Sequence, residues 1–228
     1  MREPFSYRAK FGARRVFHLI YPWTALNGLD KKLADYLPDT GGVFIEAGAN
    51  DGLRQSNTYY FEKRRSWTGL LVEPVPRLAN RCRKVRRGSV VVEALLVAPA
   101  DEGTSLEIYD LDLMTLVSSQ PEGLIDPDEH AAVAETVQGI SRKPLSVPGV
   151  TLSCLIEKHL DSKVDLLSLD VEGFELDVLR GLDLSRHRPR FILVETRVVA
   201  RLTEHLQSHY ELIDQLSHHD YLFRALHD

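Results

Sequence analysis

The sequence predicts an α/β fold, a three-layer Rossmann-like sandwich built on a mostly parallel sheet. Short apolar segments alternate along the chain with segments of helix length, which is the order that βαβ crossovers produce. The first apolar segment, Val43–Ala47, runs into a turn with glycines at positions 48 and 52, as a buried parallel strand does before a ligand-binding loop. Right-handed crossovers place helices on both faces of such a sheet.

The elements follow one another in a regular order. The predicted strands are Val43–Ala47, Gly69–Glu73, Ser89–Ala98, Val164–Asp170, Arg190–Glu195, Glu211–Leu216 and Tyr221–Leu226. The predicted helices are Leu29–Leu37, Arg54–Arg65, Leu78–Arg87, Phe174–Leu182 and Arg197–Ser208. Because only a short polar turn separates the last two strands, they predict a C-terminal antiparallel hairpin.

The chain divides at about residue 40. Residues 1–40 are predicted to be an N-terminal helical arm, and residues 41–228 the main domain. Phe11–Trp23 predicts a short amphipathic helix, either docked on the domain or binding a membrane surface or partner. Pro99–Gly149, rich in proline and weak in periodicity, predicts a lid or substrate-binding insertion, with a disordered linker as the alternative.

Composition excludes several classes of protein. With 228 residues, 43% apolar and 27% charged, the chain predicts one soluble domain. A net charge of −5 gives no general attraction to nucleic acid, and the basic helix around Arg77–Arg87 predicts a solvated face. No segment is long and apolar enough to span a bilayer. The chain has two cysteines, and they lack the spacing of metal ligands, which favours a reducing, cytoplasmic location. A homo-oligomer is possible, but the sequence does not determine the oligomeric state.

Acidic residues end four of the predicted strands: Glu46, Glu73, Asp170 and Glu195. The carboxyl ends of parallel strands meet at one edge of the sheet, so the four should share a site. Glu73 lies one strand–helix–strand unit after Glu46, where a carboxylate commonly binds a ribose diol. Acids at Glu46 and Asp51 would repel a pyrophosphate and tolerate a sulfonium, which favours S-adenosylmethionine over NAD or ATP.

The catalytic candidates follow the fourth strand. Asp170 and Glu172 could act as a general base, since neighbouring carboxylates raise each other's pKa. Together with Glu195 they could instead hold a divalent cation such as Mg²⁺ or Mn²⁺. Glu172 could also simply favour the start of the next helix. His219, in the last hairpin turn, is a further candidate base, with a solvated histidine as the alternative.

At these residues the sequence resembles the FkbM-type family of class I, S-adenosylmethionine-dependent methyltransferases. The matching segments are FIEAGANDG (44–52), SNTYYFE (56–62), WTGLLVEPVP (67–76), VDLLSLDVEGFELDVLRGLD (164–183) and FILVET (191–196). One departure is Ser168, where many members carry a lysine. The resemblance implies a seven-stranded sheet, and it implies that residues 41–228 are a class I methyltransferase domain.

The resemblance also implies the residues that bind the cofactor. Those around the methionine portion would be Glu46, Gly48, Asn50 and Gly52, while Glu73 would bind the ribose and Glu93 and Ala94 would lie near the adenine. Asn57, Pro74 and Asp170 complete the predicted cofactor-binding set.

The function implied is O-methylation of a hydroxyl on a small-molecule, sugar or glycan acceptor. Two alternatives remain: a methyltransferase for a non-hydroxyl acceptor, and a non-catalytic Rossmann-like interaction module. The presence of Glu46, Glu73 and Asp170 together in this sequence disfavours the non-catalytic module.

Overall fold

Eleven strands form two sheets in the described part of the chain. The computed structural model describes residues 12–112 except 15 and 19, residues 116–117, 132–133 and 135–136, and residues 143–226. The strands are β1 (Val43–Ala47), β2 (Thr68–Val72), β3 (Val90–Val92), β4 (Leu95–Leu96), β5 (Ser105–Tyr109), β6 (Leu116–Val117), β7 (Pro144–Val150), β8 (Leu166–Leu169), β9 (Phe191–Glu195), β10 (Tyr210–Gln215) and β11 (Asp220–Ala225).

The main sheet has seven strands in the order β10-β11-β9-β8-β1-β2-β3. All of them run in one direction except β11, which pairs antiparallel with both β9 and β10. The predicted α/β class, the seven-stranded sheet and the C-terminal hairpin are therefore confirmed. Strand β1 lies between β8 and β2, so the chain reverses its direction of travel across the sheet at the carboxyl end of β1.

The third predicted strand, Ser89–Ala98, is divided between the two sheets. Its first part, β3, pairs with β2 at the edge of the main sheet. After Glu93 and Ala94 the chain continues as β4, which pairs with β7 in a four-stranded sheet of order β4-β7-β5-β6. The expectation of one continuous strand was wrong, because a run of apolar residues does not show where a chain leaves one sheet for another.

Helices cover both faces of the main sheet and make it a three-layer sandwich. The helices are α1 (Leu29–Leu33), α2 (Tyr59–Arg64), α3 (Pro76–Val85), α4 (Leu152–His159), α5 (Glu175–Arg180) and α6 (Val199–Leu206). Alternate strand residues face opposite layers, so Ile45 packs with α4, α5 and α6, whereas Phe44 packs with α1, α2 and α3. Both faces are thus removed from water, as a parallel sheet requires.

Helix α4 is an element that the sequence analysis missed. Thr151 caps its first turn by accepting a hydrogen bond from the Cys154 N–H at 3.3 Å. The helix buries Leu152, Leu155 and Ile156 against the sheet. Its helical pattern of apolar residues begins directly after the proline-rich segment. The sequence analysis did not separate that pattern from the irregular segment before it. Among the described residues, no helix has the length and apolar character needed to cross a membrane.

Candidate functional site

A cavity of about 250 Å³ opens at the carboxyl edge of the main sheet. It lies where β1 separates β2 from β8, at the point where ligands bind in doubly wound folds. All four acids that end predicted strands line it: Glu46, Glu73, Asp170 and Glu195. Their meeting at one edge is confirmed, and the roles assigned to them remain predictions.

The glycine loop after β1 closes tightly against the neighbouring strands. Gly48 has φ +79°, and a Cβ built there would lie 1.8 Å from the carbonyl oxygen of Asp170. The N–H groups of Gly48 and Ala49 both donate to the carbonyl of Val72, at 3.1 and 3.0 Å. Only glycine fits at position 48, because any side chain would separate the loop from the end of β8.

Gly52 has a different role from the one predicted. It does not line the cavity, and a Cβ at that position would lie 2.7 Å from Cys82 Sγ and 2.8 Å from Arg86 Cγ. Its φ of +76° and this close approach to α3 show that the residue closes the loop against the helix behind it.

Glu46 is held from inside the protein. Its carboxylate accepts hydrogen bonds from Ser56 Oγ at 2.9 Å, the Asn57 N–H at 2.9 Å and Thr58 Oγ1 at 2.5 Å. Arg86 Nη1 lies 3.2 Å from the same carboxylate. Glu46 therefore lines the cavity while its charge is matched by Arg86, and it fixes the start of α2 relative to β1.

Asp51 also points into the fold. It is fully buried, and its Oδ1 accepts from the N–H groups of Leu53 and Arg54 at 3.0 and 2.8 Å. This bond pattern shapes the turn after the glycine loop. The charge argument drawn from Glu46 and Asp51 therefore needs correction, since Arg86 pairs with Glu46 and Asp51 does not line the cavity. The other acids that line the cavity are Glu73, Asp170, Glu172 and Glu195, and burial raises the pKa of each of them.

Glu73 and Asn50 are directly connected. The Asn50 N–H donates to Glu73 Oε2 at 2.8 Å, and the Val75 N–H donates to Oε1 at 2.8 Å. Burial outweighs these hydrogen bonds and raises the pKa of Glu73 to about 7. Each carboxylate oxygen keeps a second lone pair, so Glu73 can still accept hydrogen bonds from a ligand in the cavity.

Asn50 also connects the loop to the small sheet. Its Nδ2 donates to the carbonyl of Asp112 at 3.1 Å. Asp112 lines the cavity, and its carboxylate lies 2.5 Å from Arg54 Nη1 and 3.2 Å from Arg77 Nη1. Burial alone would raise the pKa of Asp112, but the two arginines lower it.

Arg77 anchors the same segment a second time. Its Nε and Nη2 donate to the two oxygens of Asp110 at 2.8 and 2.5 Å, a bidentate ion pair. Residues 110–112 are thereby fixed over the glycine loop, and the start of the predicted insertion forms one wall of the cavity.

A second acidic group lies at the ends of β8 and β9, formed by Asp170, Glu172, Glu175, Glu195 and Asp220. Burial and the neighbouring carboxylates raise the pKa of Asp170 well above its usual range and that of Glu172 to about 8. Burial raises the pKa of Glu175 to about 7.

Asp170 and Glu172 connect two cavities. A smaller cavity of about 60 Å³ shares Asp170, Glu172 and Glu195 with the larger one. His219 and Arg197 line this smaller cavity as well. His219, predicted from the hairpin turn, therefore lies beside the carboxylates and away from the glycine loop.

The other predicted cofactor-binding residues divide into two groups. Lining the larger cavity are Gly48, Asn50, Asn57, Pro74 and Ala94. Glu93 lies outside it, with its carboxylate 3.5 Å from Arg83. Strand β3 ends at Val92, and the chain then turns toward the small sheet. As a result Ala94 lines the cavity and Glu93 does not.

Sequence reasoning missed Arg86 and assigned it to a solvated helix face. Arg86 is fully buried and Arg81 is 6% exposed. The spacing of the arginines does not single out Arg86, which lies nine residues after Arg77 and five after Arg81, because neither interval returns to the same face of a helix. Burial alone would lower the pKa of Arg86, but Glu46 and Glu62 raise it.

The predicted metal ligands have no complete site. Within residues 12–112 and 143–226, apart from the undescribed positions, no group of three or more His, Cys, Asp or Glu side chains has the geometry to hold a metal ion.

Comparisons with known proteins agree with the fold. Residues 46–223 match the profile described as "Methyltransferase FkbM domain". Methyltransferase FkbM from Methylobacillus flagellatus KT superimposes with a TM-score of 0.51 and 13% identity over 84% of this chain and 45% of that one. The chain thus spans less than half the length of that relative. This similarity shows a shared fold.

Two further structures are similar at lower scores. A TehB-like SAM-dependent methyltransferase from Corynebacterium glutamicum ATCC 13032 Kitasato has a TM-score of 0.47 and 12% identity, over 97% of this chain and all of that one (100%). The N-terminal domain of human METTL16, in complex with SAH, has a TM-score of 0.44 and 12% identity, over 94% and 71% of the two chains. No curated protein shows significant similarity to the sequence.

Proposed function

Because the chain belongs to the FkbM methyltransferase family, we propose that it is an S-adenosylmethionine-dependent O-methyltransferase acting on a hydroxyl of a sugar, glycan or related metabolite. The observation that carries the proposal is the single cavity that joins the glycine loop and Glu73 to the coupled carboxyls Asp170, Glu172 and Glu195. One part of this cavity suits an adenosine-bearing methyl donor, and the other suits a group that must lose a proton.

Three features of the cavity fit S-adenosylmethionine. Gly48 lets the loop pack directly against the carbonyl of Asp170, and its backbone lines the cavity without a side chain. Glu73 presents a buried carboxylate suited to a ribose diol. Among the described residues, Asn57 Oδ1 is buried without a hydrogen-bond partner, while its Nδ2 donates to Ser168 Oγ at 3.0 Å. A ligand's amino group would satisfy that oxygen.

The bound cofactor would supply a methyl group already activated by the positive charge on its sulfur. The protein's own task is to orient the acceptor hydroxyl and to take its proton. Asp170 and Glu172 face both cavities, so an acceptor in the smaller cavity would place its hydroxyl beside them. Alignment of this kind contributes up to about 7–11 kcal/mol in favourable systems.

Binding and turnover can be tested separately. We expect S-adenosylmethionine and S-adenosylhomocysteine each to raise the melting temperature of the protein. Turnover is measured as the release of S-adenosylhomocysteine in the presence of sugar, glycan and amine acceptors. Parallel assays with EDTA test whether Mg²⁺ or Mn²⁺ assists at Asp170, Glu172 and Glu195. An absence of any thermal shift would favour the non-catalytic module, and amine-specific turnover would favour the non-hydroxyl alternative.

Replacing Glu73 with alanine is expected to weaken binding of S-adenosylhomocysteine by about 10–100-fold, through loss of charge-assisted hydrogen bonds. Isothermal titration calorimetry measures the effect. Glu93→Ala is the matched control, because Glu93 pairs with Arg83 outside the cavity and should leave the affinity unchanged. Equal affinity in both variants would contradict the role of Glu73.

The pH dependence of turnover should reflect the coupled acids. A general base acts in its ionised form, and burial with the neighbouring carboxylates raises the pKa of Asp170 well above its usual range, so kcat/KM should rise with pH only above the range in which an ordinary carboxyl ionises. In Glu172→Gln one neighbouring carboxyl is lost, so the pKa of Asp170 should fall and the profile should move to lower pH. A profile that is flat from about pH 5 to 9 would exclude these carboxyls as the base.

The compartment proposed is the cytoplasm. Cys82 and Cys154 are both free thiols, and Cys154 is exposed, which suits a reducing environment.

A further inference from the structure

Residues 12–21 present an exposed apolar stripe. The backbone is helical at residues 12–14, 16–18 and 20. Val16, Phe17, Ile20 and Tyr21 are 64%, 55%, 71% and 59% exposed. Since residues four apart lie on the same side of a helix, these four form two adjacent rows. The rings of Phe17 and Tyr21 stack at 5.1 Å, which holds one row together.

The charge of this part of the chain is opposite to that of the rest. Residues 1–21 contain the basic residues Arg2, Arg8, Lys10, Arg14 and Arg15 and one acid, Glu3. Their net charge of +4 (five basic minus one acidic), within a chain of net −5, leaves −9 for residues 22–228. An anionic surface would therefore attract residues 1–21 and repel the body of the domain, which fixes the orientation of any contact.

The chain that directly follows the stripe is anchored beside the cavity. Trp23 stacks on Tyr60 of α2 with ring centroids 3.6 Å apart. Thr24 Oγ1 donates to the carbonyl of Ser56 at 2.7 Å. Leu26, only five residues after Tyr21, lines the larger cavity and is 53% exposed. A surface bound by the stripe would consequently contact the chain within a few residues of the cavity lining.

From these three observations we propose that the apolar stripe of Val16, Phe17, Ile20 and Tyr21 docks the protein on an anionic lipid bilayer. Aliphatic and aromatic side chains on one side, with basic residues beside them, are the composition that inserts into the headgroup region. Each basic residue near such a surface adds to the attraction. Resting on the proposed function, a consequence is that the acceptor hydroxyl belongs to a headgroup displayed at the membrane surface.

The test is co-sedimentation of the full chain with vesicles, with no cofactor or acceptor present. We expect binding to phosphatidylcholine vesicles that contain phosphatidylglycerol, much weaker binding to pure phosphatidylcholine, and a decrease with added salt. The double variant Phe17→Glu, Ile20→Glu should bind about 100-fold more weakly, because it loses two apolar anchors and gains two repelled charges.

Leu212→Glu is the matched control. Leu212 is 43% exposed on strand β10 and lines neither cavity, so this variant should bind as the unaltered chain does. Thermal shift with S-adenosylhomocysteine should be equal in all variants, which separates failure of docking from failure of methyl transfer. Equal sedimentation of the double variant, or no binding to either vesicle, would overturn the proposal. Loss of a dimer in the double variant, without any lipid binding, would show that a second copy covers the stripe.

Discussion

Replacing Arg86 with methionine is expected to lower the free energy of unfolding by about 3–5 kcal/mol. Arg86 is fully buried, and it pairs with Glu46 at 3.2 Å and with Glu62 at 2.7 Å. Its Nη2 also donates to Thr58 Oγ1 at 2.7 Å. Methionine fills much of the volume, but it leaves the buried Glu46 carboxylate without its cation and Glu62 with only Lys63, among the described residues, as a cationic partner, and this uncompensated charge causes the loss.

Denaturant unfolding of the apo protein measures this effect. Arg83→Met is the matched control, since Arg83 lies on α3, the helix that ends just before Arg86, its side chain is 40% exposed, and its partner Glu93 is similarly accessible. An exposed pair of this kind contributes about 0–1 kcal/mol. If the two variants unfold at the same denaturant concentration, the buried network does not stabilise the fold as described.

The Arg86 network also bears on the cofactor site. It fixes Glu46, and Glu46 in turn holds Ser56, Asn57 and Thr58. Asn57 lines the cavity and carries the unpartnered Oδ1. Stabilisation of the fold and preorganisation of the proposed methyl-donor site therefore rest on the same buried charges, although the two can be measured independently.

Replacing Asp170 with asparagine is expected to lower turnover by about 10²–10⁴-fold, the usual contribution of a general base. Asparagine keeps the size of the side chain and leaves the backbone carbonyl that packs against Gly48. Affinity for S-adenosylhomocysteine should consequently change by only a few-fold. Single-turnover kinetics, together with calorimetry, separate the two effects.

Asp161→Asn serves as the control for this experiment, because Asp161 is exposed and lines neither cavity. Its turnover should match that of the unaltered protein. A full loss of cofactor binding in Asp170→Asn would assign Asp170 to the cofactor instead of the acceptor. Turnover close to normal would shift the base to Glu172 or His219.

Local sequence patterns were enough to predict those features that depend on neighbouring residues in the chain. The apolar strands, the glycine turn and the acids that follow the strands are all readable, because period-two burial and tight turns restrict residue type directly. These patterns predicted correctly that Glu46, Glu73, Asp170 and Glu195 would meet at one edge. Composition could not show that β3 and β4 belong to different sheets.

The sequence by itself determined the layer order of the fold, the edge that carries the site and the acidic character of that edge. Only the tertiary structure decided which of these charges face the cavity. Glu46 lines the cavity but is paired there with Arg86 from a distant segment. Asp51 is buried outside the cavity, where the neighbouring N–H groups of Leu53 and Arg54 donate to it. Asp112 enters the cavity wall because Arg54, Asn50 and Arg77 hold it there. Such pairings join residues far apart in the chain, and local sequence carries no record of which partner will neutralise a buried charge.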